Sequence, residues 1–370
     1  MDAQFPLSTP PTTYNNLYIN IILLIGPVSM PGLLLRTLRG ENAPQRPIWL
    51  MRQAGRYLPE YRALRAEKGG FLALVYDSDA AAEITLQPIR RFGFDGAILF
   101  SDILIVPYAM GQDLQFLAGE GPHLSPALVD SSLQGLSAVP ERLEPIYETV
   151  SKVRAMLGSE RTLLGFAGSP WTVATYMVAG QGSRDQADTR AMAYRDAGAF
   201  QAIIDEITRV TLEYLSGQIS AGAEAVQLFD SWAGSLSPAQ FERWVIAPNA
   251  AITAALKQRF PGVPVIGFPK GAGEKLPAYA SETGVDAVGL DETVDPVWAS
   301  GALPGDMPVQ GNLDPLLLLA GGGDLDAQVA RTLDCFADRP HIFNLGHGIS
   351  KETPLAHVEQ LIGALRTWQG

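Results

Sequence analysis

Residues Ile48 to Arg65 read IWLMRQAGRYLPEYRALR. The uninterrupted apolar run Ile48 to Met51 has the form of a short buried strand, and Pro59, which needs no backbone N–H, is suited to the first turn of a helix. Arg52 to Leu58 is therefore expected on a strand-to-helix loop, the kind of segment on which sites are built. The stretch carries four arginines and two tyrosines. A guanidinium is a rigid fork of donors that fits carboxylates and phosphates, so Arg52 and Arg56, separated by the small Ala54 and Gly55, suit an anionic ligand. The alternative is a set of surface ion pairs.

The same strand-then-helix pattern recurs along the chain. Eight apolar runs occur: Ile48 to Met51, Ala97 to Phe100, Thr162 to Phe166, Ala225 to Phe229, Val263 to Phe268, Ala287 to Leu290, Pro308 to Gly311 and His341 to Leu345. Helical periodicity fills the intervals, over Ala80 to Phe92, Glu141 to Leu157, Arg190 to Leu215, Ala239 to Phe260, Glu274 to Thr283, Pro296 to Ala302, Asp326 to Phe336 and Pro354 to Trp368. Near-continuous apolar strands alternating with helices indicate a parallel sheet covered by helices, and eight such units indicate an α/β fold of the (β/α)8 barrel type. An open doubly wound sheet is the competing architecture, but no GxGxxG turn follows the first strand and no GxxxxGK[ST] occurs. No fixed-period self-similarity supports a solenoid.

Composition narrows the function classes. The 370-residue chain is 47% hydrophobic and 18% charged, as expected of a globular enzyme. Its formal charge of −12 provides no basic stripe for nucleic acid, which makes a local arginine cluster more informative. Cys335 is the single cysteine, which rules out an internal disulfide and any multi-cysteine metal site and points to a reducing compartment. The histidines, His123, His341, His347 and His357, show no ligand-like pairing. Leu17 to Ile25 is apolar but is broken by Gly26 and Pro27 and lacks a preceding basic residue, so it fits neither a membrane span nor a signal peptide. Residues 1–33 are expected to be a poorly ordered extension.

A barrel places its active site at the C-terminal ends of the strands. There the sequence puts Arg52 and Arg56, then Ser101 and Asp102, the segment from Gly168 that carries Tyr176, then Asp230, Ser231 and Trp232, Lys270, Asp291 and Glu292, Asn312 and Asp314, and finally His347. Asp102, in ILFSDILIVP, is a carboxylate between two apolar runs and is the leading catalytic candidate, with a helix cap or a structural partner of a backbone amide as its alternative. Tyr176 could be a core aromatic, Ser231 a turn serine, and His347, between two glycines, a turn histidine or a ligand contact. The glycines after Lys270 resemble a phosphate cradle weakly, and Asp291 with Glu292 is a carboxylate pair of unknown separation.

Seven segments, PIWLMRQAGRYLPEYR, RFGFDGAILFSDILIVP, GFAGSPWTVATYMVAGQGS, QLFDSWAG, VPVIGFPKGAG, VQGNLDP and FNLGHGI, together resemble the uroporphyrinogen decarboxylase family, in order from Leu34 to the C-terminus. The resemblance implies a barrel over residues 34–370 and a cytoplasmic homodimer without membrane or nucleic-acid partners. It implies removal of CO2 from the four acetates of uroporphyrinogen III to give coproporphyrinogen III, with no metal or organic cofactor. Its substrate-binding residues fall on Arg52, Gln53, Ala54, Gly55, Arg56, Asp102, Tyr176, Ser231 and His347, with Arg65 as a further anion contact; Asp102 and Arg52 are the catalytic pair. Two other readings stand beside it. The corrinoid and thiol methyltransferases of related barrels hold zinc through histidine and cysteine, whereas Cys335 lies in a helical pattern away from every strand end. A non-enzymatic porphyrin carrier would use the arginines but not the central carboxylate.

Overall fold

The computed structural model describes residues 30–117, 121–129, 133, 135–137 and 139–369. Most of the expected N-terminal extension, residues 1–29, lies outside the described residues, and Leu33 opens the first helix, Leu33–Leu38. From there the chain alternates strand and helix as expected. Seven strands, β1 (Gly96–Ile98), β4 (Thr162–Gly168), β5 (Ala225–Asp230), β6 (Val265–Pro269), β7 (Ala287–Gly289), β8 (Val309–Gln310) and β9 (His341–Ile342), form one parallel sheet in that order. Every one of them falls on an expected apolar run.

The first expected strand survives as a single parallel bridge, Ile48 to Phe343, beyond β9. The same segment bonds to the opposite edge of the sheet: the Asp95 amide donates to the Ile48 carbonyl (2.9 Å), and the Ile48 amide donates to Asp95 Oδ2 (2.9 Å). Both edges are thus joined through residue 48, and the sheet closes into a (β/α)8 barrel. Closure explains Gly96. A Cβ there would lie 2.8 Å from Leu34 Cδ1 and 3.2 Å from Trp49 Cβ, so the tight seam between the first strand and β1 leaves no room for a side chain.

Beneath the mouth the interior is closed by side chains from distant strands. Trp49 Nε1 donates to Gln310 Oε1 (2.9 Å), and Gln310 Nε2 donates to Gln227 Oε1 (3.1 Å), all three being fully buried. Amides are tolerated here because each supplies a partner to the next.

The helices follow local capping rules. Asp77 caps Ser78–Phe92 by accepting from the Ala80 amide (3.0 Å), and Gly93, at φ 67°, ends it. Two expectations are corrected. The helix read across Arg190 to Leu215 is two helices, Ala187–Arg195 and Ala197–Ser220, because the Asp196 side chain turns outward to accept from the Ala199 amide (3.0 Å) and restarts the helix. The one read over Ala239 to Phe260 contains a π-helical turn at Glu242–Ile246. Between β1 and β4 the chain also forms an antiparallel hairpin, β2 (Asp113–Leu117) with β3 (Gly121–Ser125), which periodicity had not indicated.

Candidate active site

The loop after the first strand is held in place before it offers any side chain to a ligand. The Met51 amide donates to Asn344 Oδ1 (2.9 Å) and the Ile349 amide donates to the Met51 carbonyl (2.9 Å), pinning the loop to the segment after β9. Gln53 is fully buried; its Oε1 accepts from the Leu50 amide (3.0 Å) and its Nε2 donates to the Gly96 carbonyl (2.9 Å). Both ends of that amide are therefore occupied within the fold, and Gln53 acts as a clamp. Between these anchors Arg52 adopts a left-handed backbone, φ 61°, a conformation that costs a non-glycine residue on the order of 1 kcal/mol and that the anchors enforce. Its side chain is exposed and crosses Gly348, where a Cβ would lie 2.3 Å from Arg52 Cδ.

Asp102 follows β1 and is half-buried. Its Oδ1 accepts from the Leu104 amide (2.8 Å), which leads the chain into the Ile105–Met110 helix. Leu104, not Asp102, holds the N-cap position of that helix, so Asp102 is the partner of a backbone amide ahead of it, and the bond engages one of its two oxygens. Burial pushes the carboxyl above its ordinary range, while the Leu104 N–H and the positive charge of Arg52 pull it back. Tyr176, on the Pro170–Ala179 helix, is half-buried; burial raises its phenol, a hydrogen bond with the Trp232 side chain lowers it, and the charges of Asp102 and Arg52 both reach it. Ser231 is half-buried beside Trp232, whose amide donates to Thr172 Oγ1 (3.1 Å). Thr172 in turn donates to the buried Asp230, whose carboxyl burial pushes up to about 7.

His347 stands in the loop after β9. Burial, then the charges of Arg52 and Lys270, push its imidazole down to about 4, so at neutral pH it is an uncharged ring with one donor and one acceptor. Glycines on either side of a residue at a strand end can give a ligand room to approach the backbone. Here they make room for the protein itself: a Cβ at Gly346 would meet the Glu292 amide nitrogen at 2.1 Å, and Gly348 faces Arg52.

The charge of Arg52 thus reaches Asp102, Tyr176 and His347, and that of Asp102 reaches Tyr176, with Ser231 next to Trp232, the partner of Tyr176. Arg56 and Arg65, with Arg62 and Lys351, line an open hollow of about 520 Å3. Arg62 lies three residues before Arg65 on the Pro59–Lys68 helix, one turn away, a spacing that puts the two on one face. Two further expectations resolve into structure. Asp314 caps the Pro315–Ala320 helix by accepting from the Leu316 amide (2.8 Å). Asp291 is buried with both oxygens engaged, by the Gly271 amide (2.7 Å) and by the Thr293 amide (2.9 Å) and hydroxyl. Glu292 is different; it pairs with Lys270 at 3.2 Å. Among the described residues no three His, Cys, Asp or Glu side chains converge as a metal site, and no helix is long and apolar enough to cross a membrane.

A closed (β/α)8 barrel whose mouth sets a carboxylate, Asp102, in the field of a guanidinium, Arg52, has the build of a barrel enzyme. Comparison with known proteins narrows it. Residues 31–368 match the family model described as uroporphyrinogen decarboxylase (URO-D), so the chain belongs to that family of carboxy-lyases. It is 76% identical over 339 residues to the uroporphyrinogen decarboxylase of Novosphingobium aromaticivorans, covering 92% of this chain and 99% of that one. It is 71% identical to that of Erythrobacter litoralis, covering 92% and 100%. Among solved structures, a methyltransferase from Methanosarcina mazei superposes with a TM-score of 0.76 over 90% of this chain and 97% of that one, at 18% identity. Identity that low speaks for the shared barrel alone.

Proposed function

We propose that this chain removes CO2 from the four acetate side chains of uroporphyrinogen III, giving coproporphyrinogen III, at the mouth formed by Arg52, Asp102, Tyr176, Ser231 and His347. The observation that carries the reading is Asp102: one oxygen is tethered by the Leu104 N–H and the other is left for a ligand, within the field of Arg52. Four pyrrole N–H groups converge at the centre of the macrocycle, and an acceptor-only carboxylate is the side chain that takes them. The eight peripheral carboxylates call for cations, which the arginine loop supplies.

Departure of CO2 leaves an electron pair at carbon. Protonation of the pyrrole at its α-carbon makes the ring a cation that accepts the pair; the C–C bond then breaks, CO2 leaves, and the exocyclic carbon takes a proton as the ring proton is lost. Asp102 stabilises the cation, which exists only along the reaction path, so the interaction lowers the barrier rather than merely tightening binding. Arg52 holds the departing carboxylate in its donor fork and positions the proton donor. A guanidinium is itself a poor acid. Tyr176, Ser231 and neutral His347 orient the macrocycle, Gln53, Ala54 and Gly55 complete the arginine loop, and Arg56 and Arg65 gather outer carboxylates. Residues 34–370 act as one catalytic domain in a cytoplasmic homodimer, with residues 1–33 an extension outside the catalysis.

The test is anaerobic incubation with uroporphyrinogen, without added metal, followed by chromatographic counting of the product's carboxyls. Stepwise loss from eight to four supports the reading; unchanged substrate overturns it and leaves a carrier or a methyltransferase.

A further inference from the structure

Lys270 begins the turn after β6, and its backbone is fastened on both sides: its amide donates to the Asp230 carbonyl (3.0 Å) and its carbonyl accepts from the Gly234 amide (3.0 Å). β6 stands four strands from the Ile48 segment in either direction round the barrel, so Lys270 faces the arginine loop across the mouth. Its charge acts on His347, as does that of Arg52. Its ion pair with Glu292 is incomplete. The 3.2 Å contact is an ion pair to one glutamate oxygen, the lysine side chain keeps 28% of its exposure, and Glu292 Oε2 is buried with no hydrogen-bond partner. A pair built for stability would satisfy both groups. Asp291, one residue away, does so with both of its oxygens.

We propose that Lys270 is a further substrate-binding residue, taking a propionate carboxylate of the tetrapyrrole on the wall opposite Arg52, with Glu292 holding the ammonium aimed into the mouth until substrate arrives. The proposal rests on the decarboxylase reading above. Propionate rather than acetate follows from the reaction itself: acetates disappear one by one, whereas a contact that must serve each successive round needs the side chain that is never lost. Glu292 sits on the neighbouring loop, so an incoming carboxylate competes with it for the same ammonium.

The experiment measures KM for uroporphyrinogen and the Kd of coproporphyrin, by fluorescence, in the parent chain, Lys270→Gln and Glu292→Gln. Loss of a hydrogen bond to a charged group predicts that Lys270→Gln raises both constants by roughly tenfold. Glu292→Gln removes the competitor and lowers the Kd of coproporphyrin severalfold. Opposite signs are the signature of a binding cation and its placeholder. If both variants weaken binding alike and lose thermal stability together, the pair is structural and the proposal fails. It fails equally if Lys270→Gln alters KM for uroporphyrinogen but not the Kd of coproporphyrin, since the contact would then be with an acetate. A parent chain that leaves uroporphyrinogen unchanged refutes the decarboxylase reading instead.

Discussion

Replacing Asp102 by Asn isolates the charge at the centre of the mouth. The amide is nearly isosteric, and its oxygen keeps the 2.8 Å bond from the Leu104 amide, so the turn into the Ile105–Met110 helix and the fold are retained. That orientation puts Nδ2 where Oδ2 stood, facing pyrrole N–H groups with donors against donors. The ring cation loses its counter-charge at the same time. A unit charge about 4 Å away at an effective dielectric of about 20 is worth about 4 kcal/mol. At about 1.4 kcal/mol per decade, kcat falls about a thousandfold. The assay is single-turnover loss of the first acetate, followed by chromatography under anaerobic conditions at saturating substrate, with the melting temperature measured alongside. In the parent chain the acid limb of kcat/KM lies above the ordinary carboxylate range, because burial raises the Asp102 carboxyl, and the limb is absent from whatever activity the variant retains. A variant within tenfold of the parent in kcat, with an unchanged melting temperature, would refute the role given to Asp102.

Arg52→Lys keeps the charge and the left-handed backbone at φ 61° but replaces a planar fork by a point charge, so kcat/KM is expected to fall roughly tenfold to a hundredfold; a change within twofold would show that fork geometry is immaterial. Gly348→Ala introduces a Cβ 2.3 Å from Arg52 Cδ, which displaces a flexible side chain rather than backbone. Steady-state kinetics should therefore worsen by about tenfold while thermal stability moves by a few degrees, the cost falling on positioning. Asp230, with its carboxyl raised to about 7, gives a stability prediction with a definite sign. The folded chain holds that proton where the unfolded chain releases it, so the contribution is present below about pH 4 and is lost as pH rises toward 7. Relative to the parent, Asp230→Asn should gain up to about 4 kcal/mol of unfolding free energy between those limits, as read by denaturant titration; a pH-independent difference would mean that Asp230 is charged in the fold.

The barrel was legible because its evidence is local. Each strand is an apolar run buried on both faces, and each of the seven paired strands lies within a few residues of the run that announces it. The first strand is the exception in length: Ile48 to Met51 was read as a strand, yet it contributes one bridge, since the rest of the run turns at once into the anchored arginine loop. The hairpin at Asp113 to Ser125 was missed although DLQFL alternates, because its helical neighbours dominate that region's periodicity. The helix break at Asp196 was hidden because the apolar stripe continues across it, while a side-chain cap is decided by one residue. Asp102 and Arg52 were legible as a carboxylate and a cation out of place. The gathering of Arg56, Arg62 and Arg65 with Lys351 round one hollow was not, since spacing along a loop says nothing about which way each guanidinium turns.

What spacing cannot supply is the distinction between a carboxylate that holds the protein and one that holds a ligand. Asp230, Asp291, Asp314 and Asp102 all stand at or just beyond strand ends, and in sequence each looks equally available. The structure separates them by three features together: the acceptor oxygens already filled, the depth of burial and the charge alongside. Asp291 has both oxygens bonded, Asp314 caps a helix, and Asp230 is buried behind Thr172. Asp102 alone of these four is half-buried, tethered through one oxygen and accompanied by a cation. One tether fixes the orientation without exhausting the group, and partial burial strengthens whatever it meets next. The same reasoning separates Lys270 from the surface lysines, because its donors are held at the mouth by a partner that leaves most of them free.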